Sequence, residues 1–296
     1  MNVLITGASG FIGSHLINEE LLETHNIAIF SREKTLKNNQ AQLIEGDLAN
    51  IDKSIDKIKR FNPTIIIHLA WQGIPDFSID MCNLNLNNSI KFFNKIIQNT
   101  ECKKIIISGS CFEYGKKNGE CKESDALNIN SYFTWAKNSL SNYLSVKCEE
   151  KNIILNWFRI FYAYGPFQRK DSLIPTLIEE IASRKVPNIN TPLNKNDFIY
   201  VKDVANILFQ AIDKDILPGI YNLGSGVSSA VYEICQIVEK HLMDSDSISN
   251  QVLKNNQNSE SVNFWANMDK LTRELSPSRF TSLNMGIKHQ INSMEL

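Results

Sequence analysis

Residues Val3 to Gly13, Val-Leu-Ile-Thr-Gly-Ala-Ser-Gly-Phe-Ile-Gly, run an apolar stretch into a glycine turn and then into residues with helical spacing. Few local structures satisfy that order. A buried strand turns sharply at Gly7, the backbone can approach a ligand at Gly10, and the following helix packs close to the strand at Gly13. Backbone amides at the helix start, around Phe11 and Ile12, then face the pyrophosphate of a dinucleotide. A Gly-x-x-Gly-x-x-Gly is a weak signal by itself. Its place directly after an apolar strand makes it specific.

The length of 296 residues suits one large α/β domain, or such a domain with a smaller lobe, and gives a full core. Lys plus Arg number 31 against 32 Asp plus Glu, so the overall charge asks for neither nucleic acid nor an anionic membrane. The six cysteines form no C-x-x-C pair and no secretory segment precedes the first strand, so a reduced, cytoplasmic setting is expected. No metal site is expected. The longest apolar run, Ile153 to Phe167, is broken by Asn156, Arg159 and Gly165 and is too short to span a bilayer.

Periodicity predicts a helix over Phe11–Leu22 and short strands at Asn26–Phe30, Leu43–Ile44 and Thr64–Leu69. A helix over Ile51–Phe61 lies between the last two. A helix over Leu84–Gln98, a strand at Lys104–Ser108, a helix from Tyr132 to Cys148 and a strand at Ile153–Phe158 follow. Strands alternating with helices of this length predict a parallel, doubly wound sheet covered on both faces. The expected dinucleotide-binding domain is 1–165. Residues 166–296 are expected to form mainly a smaller substrate lobe, with some segments returning to the first domain. There, helices over Leu173–Ser183 and Asp203–Ile212 are predicted, and the polar stretch Asp244–Ser261 reads as a surface loop or a flap.

The chain resembles the extended short-chain dehydrogenase/reductase family, in its branch of nucleotide-sugar epimerases, dehydratases and reductases. The resemblance rests on Thr6–Gly13, Gly46-Asp47-Leu48, His68-Leu69-Ala70, Ser108-Gly109-Ser110 followed by Tyr114-Gly115, Lys137, Tyr164-Gly165-Pro166, and Asp197–Ala205. It implies that Asp47 accepts from the adenine amino group, with the Leu48 backbone beside the ring, and that Leu69 and Ala70 pass the ribose and pyrophosphate. His68 has a structural role. Asn85 corresponds to an asparagine that faces the active site. At the end of the second strand stand Phe30-Ser31-Arg32-Glu33-Lys34, where NAD-preferring relatives place a carboxylate for the ribose hydroxyls. Ser31 and Arg32 suit a 2′-phosphate instead, so NADP is expected, with NAD as the alternative.

In such a family a hydride passes between the nicotinamide and a sugar carbon while a tyrosine, four residues before a lysine, moves the proton. Four residues before Lys137 stands Phe133; Tyr132, five residues away, points to another side of the helix. Two readings are open: Phe133 replaces tyrosine in a variant made to trap substrate, or a natural member has lost or relocated its proton donor. The persistence of Ser110, Lys137 and the glycine loop favours the first. Ser110 corresponds to the residue that bonds the reacting sugar oxygen. Cys111 and Phe112 stand where dehydratases carry Asp and Glu, which removes elimination chemistry and leaves carbinol/ketone interconversion. Tyr162 replaces an asparagine that usually meets substrate. The arginine that clamps the pyrophosphate is missing before Phe264-Trp265-Ala266, so Arg169, Lys170 or Lys195 are candidates for that charge.

The expectation is an NADP(H)-dependent reductase of a nucleoside-diphosphate 4-keto-sugar, 4-keto-6-deoxy sugars included, serving surface-polysaccharide precursors. A 4-epimerase and a catalytically silent NADP(H)-sensing protein are the alternatives. The helices Leu84–Gln98 and Tyr132–Cys148 correspond to those that pair across a two-fold as a four-helix bundle in many relatives, so the resemblance implies a homodimer, in keeping with Phe92, Phe93, Ile96 and Ile97 exceeding one core-facing stripe.

Overall fold

The computed structural model describes residues 1–33, 40–254, 261–277 and 279–294. In chain order the strands are β1 (Asn2–Thr6), β2 (Asn26–Ser31), β3 (Gln42–Glu45), β4 (Ile65–His68), β5 (Lys104–Ser110), β6 (Gly119–Cys121) and β7 (Ile154–Ile160). They continue with β8 (Tyr162–Tyr164), β9 (Lys195–Tyr200), β10 (Gly219–Leu223), β11 (Ser228–Ala230) and β12 (Asn263–Ala266). The helices are α1 (Phe11–Leu16), α2 (Glu19–Thr24), α3 (Ile55–Phe61), α4 (Ile79–Asn99), α5 (Tyr132–Glu150) and α6 (Leu173–Ala182). The remainder are α7 (Val201–Asp213), α8 (Val231–Met243), α9 (Ser247–Lys254), α10 (Asp269–Leu275) and α11 (Leu283–Ser293).

Two compact units result. The first comprises 1–116, 126–159 and 205–221, and the second 117–125, 160–204 and 222–296. The first change of unit near the expected boundary thus falls after Arg159 rather than after 165. Strand pairing explains the exchanged segments: β6 joins β12 in the second unit, while β10 joins β7 at the edge of the first unit's sheet.

The first unit is built on a sheet of order β10-β7-β5-β4-β1-β2-β3, with β1, β2, β3, β4 and β5 parallel. Val3, Leu4 and Ile5 of β1, Ile66 and Ile67 of β4 and Ile105 to Ile107 of β5 are buried, as a sheet covered on both faces requires. The chain winds outward in opposite directions from β1 and β4. The carboxyl ends of that pair form the switch point at which such sheets bind ligands. His68, at the end of β4, joins the two strands: its Nδ1 lies 2.9 Å from Thr6 Oγ1, and its ring packs on Phe92 and Phe93. Burial pushes its pKa down to about 3, so the imidazole is a neutral staple, the structural role expected of it.

Four details differ from the periodicity. The predicted helix Phe11–Leu22 is two helices, because the Asn18 side chain accepts the Leu21 N–H at 2.8 Å and caps α2. The predicted helix Ile51–Phe61 starts as a 3₁₀ turn over Leu48–Lys53, capped by Asp47, with α3 following. Within the polar stretch Asp244–Ser261, α9 is an ordered helix: Glu239 accepts the N–H groups of Ile248 and Ser249, each at 2.9 Å, and Ile248 and Val252 enter the second unit's core. Phe92, Phe93 and Ile96 are fully buried in the first unit's core with the half-buried Ile97 packed against it, so the apolar excess of this helix is taken up within the chain.

The second unit carries a smaller sheet of order β11-β9-β12-β6, with β8 also paired to β9. Asp197 ties it together, its buried carboxylate accepting from the N–H groups of Ser225, Gly226 and Ala266. Among the described residues no helix is long and apolar enough to cross a membrane, and no cluster of side chains fit for a metal ion occurs.

Candidate active site

A cleft of ≈ 260 Å³ opens at the switch point of the first unit, walled by Thr6, Gly7, Ser9 and Gly10 of the glycine turn, by Ser31, Arg32, Asp47 and Leu48 beyond β2 and β3, and by Leu69 to Gln72 after β4. Gly7 has φ +73°, and a Cβ there would lie 2.6 Å from the Ala70 nitrogen; at Gly13 a Cβ would lie 2.2 Å from the Gly7 oxygen. Both positions need glycine for the turn itself. Gly10 is different. Its nearest neighbour is 3.2 Å away, so what a side chain there would fill is the cleft. A cradle kept open by a missing Cβ fits a dinucleotide pyrophosphate. Phe11 and Ile12 lie in the first turn of α1, next to this wall.

Asp47 and Leu48 are brought to the cleft by the 3₁₀ turn, in which Asp47 Oδ1 accepts the Ala49 N–H at 3.0 Å. Ser31 Oγ accepts the Glu33 N–H, and Arg32 donates from Nη1 to Gln72 Oε1 at 3.2 Å across the mouth. Lys34 lies outside the described residues. Asn85 also lines the cleft, with its side chain turned to the backbone: Oδ1 takes the Gln72 N–H at 2.7 Å and Nδ2 donates to the carbonyls of Gln72 and Met81. It therefore braces the cleft wall, with both amide N–H groups engaged by backbone carbonyls. The sequence reading missed Ser9, Trp71, Gln72 and Asn88 of the same wall. Ser9 lies inside the quoted glycine motif, Trp71 and Gln72 follow His68-Leu69-Ala70, and Asn88 follows Asn85 by three residues on α4.

The second cluster is placed by α5, which Ser131 caps by accepting the Thr134 N–H. Phe133 and Lys137 share one buried face, with Nζ 5.9 Å from the Phe133 ring centroid, whereas Tyr132 is more than half exposed. Phe133 is enclosed by aromatic rings: Trp71, Phe77 and Phe112 have centroids at 5.3, 4.7 and 6.2 Å. Lys137 Nζ donates to the Ser108 carbonyl at 2.9 Å and lies 4.1 Å from the Trp71 ring centroid. Burial pushes its pKa down to about 8, opposed by the negative charge of Glu113. Trp71 thus borders the dinucleotide cleft on one side and the lysine on the other.

Ser110 ends β5. Its Oγ accepts the Phe112 N–H at 3.2 Å and its N–H donates to Glu113 Oε1 at 2.8 Å. Glu113 is fully buried and also receives Trp157 Nε1 at 3.0 Å and Arg159 Nε at 2.9 Å, so a buried ion pair fixes the turn that carries Ser110. Cys111 is buried. Phe112 is 40% exposed and presents its ring beside Phe133. Sequence reasoning passed over Glu113, whose only signal is its place three residues after Ser110 in a capping box.

In the second unit Tyr162 packs on Phe198 at 5.7 Å, and the two rings help line a pocket of ≈ 300 Å³ with Gln168, Ser172 and Asn196. Neither Arg169 nor Lys195 is in that wall. Arg169 lies 3.5 Å from Asp171 Oδ1, and Lys195 is exposed at the start of β9.

The family model described as the NAD dependent epimerase/dehydratase family matches residues 3–224. The chain is 28% identical over 257 residues to the dTDP-4-dehydro-6-deoxyglucose reductase of Escherichia coli, covering 80% of each. It is also 28% identical over 242 residues to the dTDP-6-deoxy-L-talose 4-dehydrogenase (NAD(+)) of Aggregatibacter actinomycetemcomitans, covering 76% of this chain and 85% of that one. Its fold is shared with the UDP-N-acetylglucosamine 4-epimerase from Methanobrevibacter ruminantium, at a TM-score of 0.81 and 24% identity over 99% of this chain and 97% of the other. With the greater part of its length matched by one family, the chain belongs to the NAD dependent epimerase/dehydratase family and is an NAD(P)-dependent enzyme of that class.

Proposed function

We propose that the protein reduces the 4-keto group of a nucleoside-diphosphate sugar with NADPH. The observation that carries this reading is the adjacency of the two clusters in the first unit: Trp71 lines the dinucleotide cleft whose mouth holds Arg32, and its ring lies 4.1 Å from Lys137 Nζ, which bonds the carbonyl of Ser108, two residues before Ser110. Gly7, Gly10, Asp47, Leu48, Leu69 and Ala70 would hold the dinucleotide, and Arg32 with Ser31 would take its 2′-phosphate. The bound cofactor supplies a hydride. Ser110 hydrogen-bonds the reacting oxygen, and Lys137 holds positive charge beside it. Cys111 and Phe112 offer no carboxylate pair for elimination, which disfavours a dehydratase. The two curated relatives named for 4-keto or 4-hydroxy 6-deoxy sugars support the same substrate class.

The 4-epimerase reading has support from the shared fold with 4-epimerases. Single-turnover assays on a panel of keto-sugar nucleotides separate the two. Net NADPH consumption supports reduction, and interconversion without net cofactor change supports epimerisation. Tyr162 and the pocket beside it are proposed to meet the sugar nucleotide. A homodimer rests on the family resemblance alone, and sedimentation at micromolar concentration tests it.

A further inference from the structure

We propose, taking Phe133 in its aromatic enclosure as the natural residue, the second of the two readings above, that Lys137, with no tyrosine on its helix face, is itself the proton donor of the reaction, delivering a proton from Nζ to the reduced carbonyl oxygen. The inference rests on the reductase reading above. Phe133 occupies the position one turn before Lys137 and is walled by Trp71, Phe77 and Phe112, so the side chains packed on it are rings without an acidic hydrogen apart from the indole. Ser110, the hydroxyl assigned to the reacting oxygen, sits in a turn whose buried carboxylate, Glu113, is engaged by Arg159 and does not resupply a proton.

Lys137 has the properties the missing phenol would supply. It is 5% exposed, and among the described residues its ammonium makes one hydrogen bond, to the Ser108 carbonyl, leaving two N–H groups for a ligand. Its other near neighbour is the Trp71 ring. The charged and titratable groups facing it are Glu113, from the turn after β5, which favours the ammonium, and His68 of β4. Burial outweighs Glu113, and the resulting pKa of about 8 lets Nζ be protonated at neutral pH and still give the proton up.

The step balances. The hydride adds to the carbonyl carbon, the C=O π electrons move to oxygen, and that oxygen takes one proton from Nζ directly or through one intervening hydroxyl. The neutral amine then recovers a proton from solvent. Because the ammonium is the active form, kcat for reduction is constant below pH ~7 and falls about tenfold per pH unit well above the lysine pKa.

The test uses Lys137→Arg, which keeps the positive charge for dinucleotide binding but cannot release a proton in this range. The expected result is a kcat loss of about a hundredfold or more with the dissociation constant for NADP by calorimetry changed less than about tenfold. Adding Phe133→Tyr to Lys137→Arg restores turnover, which also demonstrates that the lysine variant is folded. A readout independent of turnover is the ¹³C titration of ε-labelled lysine with NADP bound, in which the resonance lost in Lys137→Arg titrates near 8. A Lys137→Arg enzyme with wild-type kcat, or a Lys137 resonance titrating near the ordinary value of 10.5, overturns this step alone. A wild-type protein that binds NADP and reduces no keto-sugar overturns the reductase reading and the step with it.

Discussion

The side chain of Asn85 holds both backbone groups of Gln72, its Oδ1 accepting the N–H at 2.7 Å and its Nδ2 donating to the carbonyl at 2.9 Å. A residue expected to meet substrate instead fixes the segment between β4 and α4. That segment carries Trp71, which borders Lys137, and Gln72, which receives Arg32. Asn85→Ala leaves two backbone groups without their partner, at a cost of about 1–3 kcal/mol. Part of that cost is expected in binding, as a rise of roughly fivefold to thirtyfold in the NADP dissociation constant measured by calorimetry. Unchanged affinity would remove the bracing role.

Arg32→Asp should reverse the cofactor preference. The guanidinium that suits a 2′-phosphate is replaced by a carboxylate that repels it and accepts from free ribose hydroxyls. The ratio of kcat/KM for NADPH over NADH is expected to fall by at least about tenfold, the effect of losing one charge-assisted hydrogen bond to the phosphate. A ratio unchanged by the substitution counts against the 2′-phosphate assignment.

Phe133→Tyr places a phenol one helical turn from Lys137. A positioned acid contributes about 10²–10⁴-fold, so kcat should rise toward that factor with KM little changed. The gain is expected even with Lys137 as the native donor, since a second acid nearer the reacting oxygen shortens the transfer. An unaltered kcat would mean that the ring does not reach the reacting oxygen.

Glu113→Ala should destabilise the first unit. Arg159 is 1% exposed and pairs with Glu113 at 2.9 Å, and breaking a buried pair by removing one partner costs about 3–5 kcal/mol. The melting temperature should drop, and kcat should fall as well, because the same carboxylate holds the Ser110 N–H. A variant that melts like the parent would show that water reaches Arg159.

His68 makes stability pH-dependent in a stated direction. Its folded pKa, about 3, lies below the ordinary histidine value of 6.5, so the unfolded chain binds more protons between those values and acidification favours unfolding. The contribution is fully present above pH 6.5 and is lost progressively as pH falls toward 3; the loss reaches roughly 2–3 kcal/mol at pH ~4.5. His68→Gln should lower stability at neutral pH yet flatten this limb in urea titrations between pH ~7 and ~4.5. A slope that survives the substitution assigns the effect to other groups.

The sequence by itself determined the sheet of the first unit, apart from its edge strand β10, and the motifs that wall its dinucleotide cleft. Those rest on local signals: apolar runs of strand length, a glycine turn directly after one of them, and short motifs at strand ends. Each is written within a few consecutive residues, so each survives reading without a fold. The helix break at Asn18 and the order in α9 were not legible, because both depend on side-chain acceptors that compete with, or reinforce, a weak local pattern. Glu239 caps α9 from another helix, and nothing within Asp244–Ser261 announces it.

Tertiary structure alone decided the rest. Phe92, Phe93 and Ile96 read as too apolar for one core stripe because sequence periodicity does not show how wide the facing core is; in the fold they belong to the first unit's core, with Phe92 and Phe93 packed around His68. The neighbours of Phe133 come from two separate places in the chain, Trp71 and Phe77 in the segment after β4 and Phe112 after β5, and only their convergence reveals the aromatic wall around Phe133. The pair Glu113–Arg159 joins residues 46 apart, and the desolvation that lowers the Lys137 pKa is a property of everything packed around it. Motifs name the chemical groups; proximity and exclusion of water, which set their protonation and reach, exist only after folding.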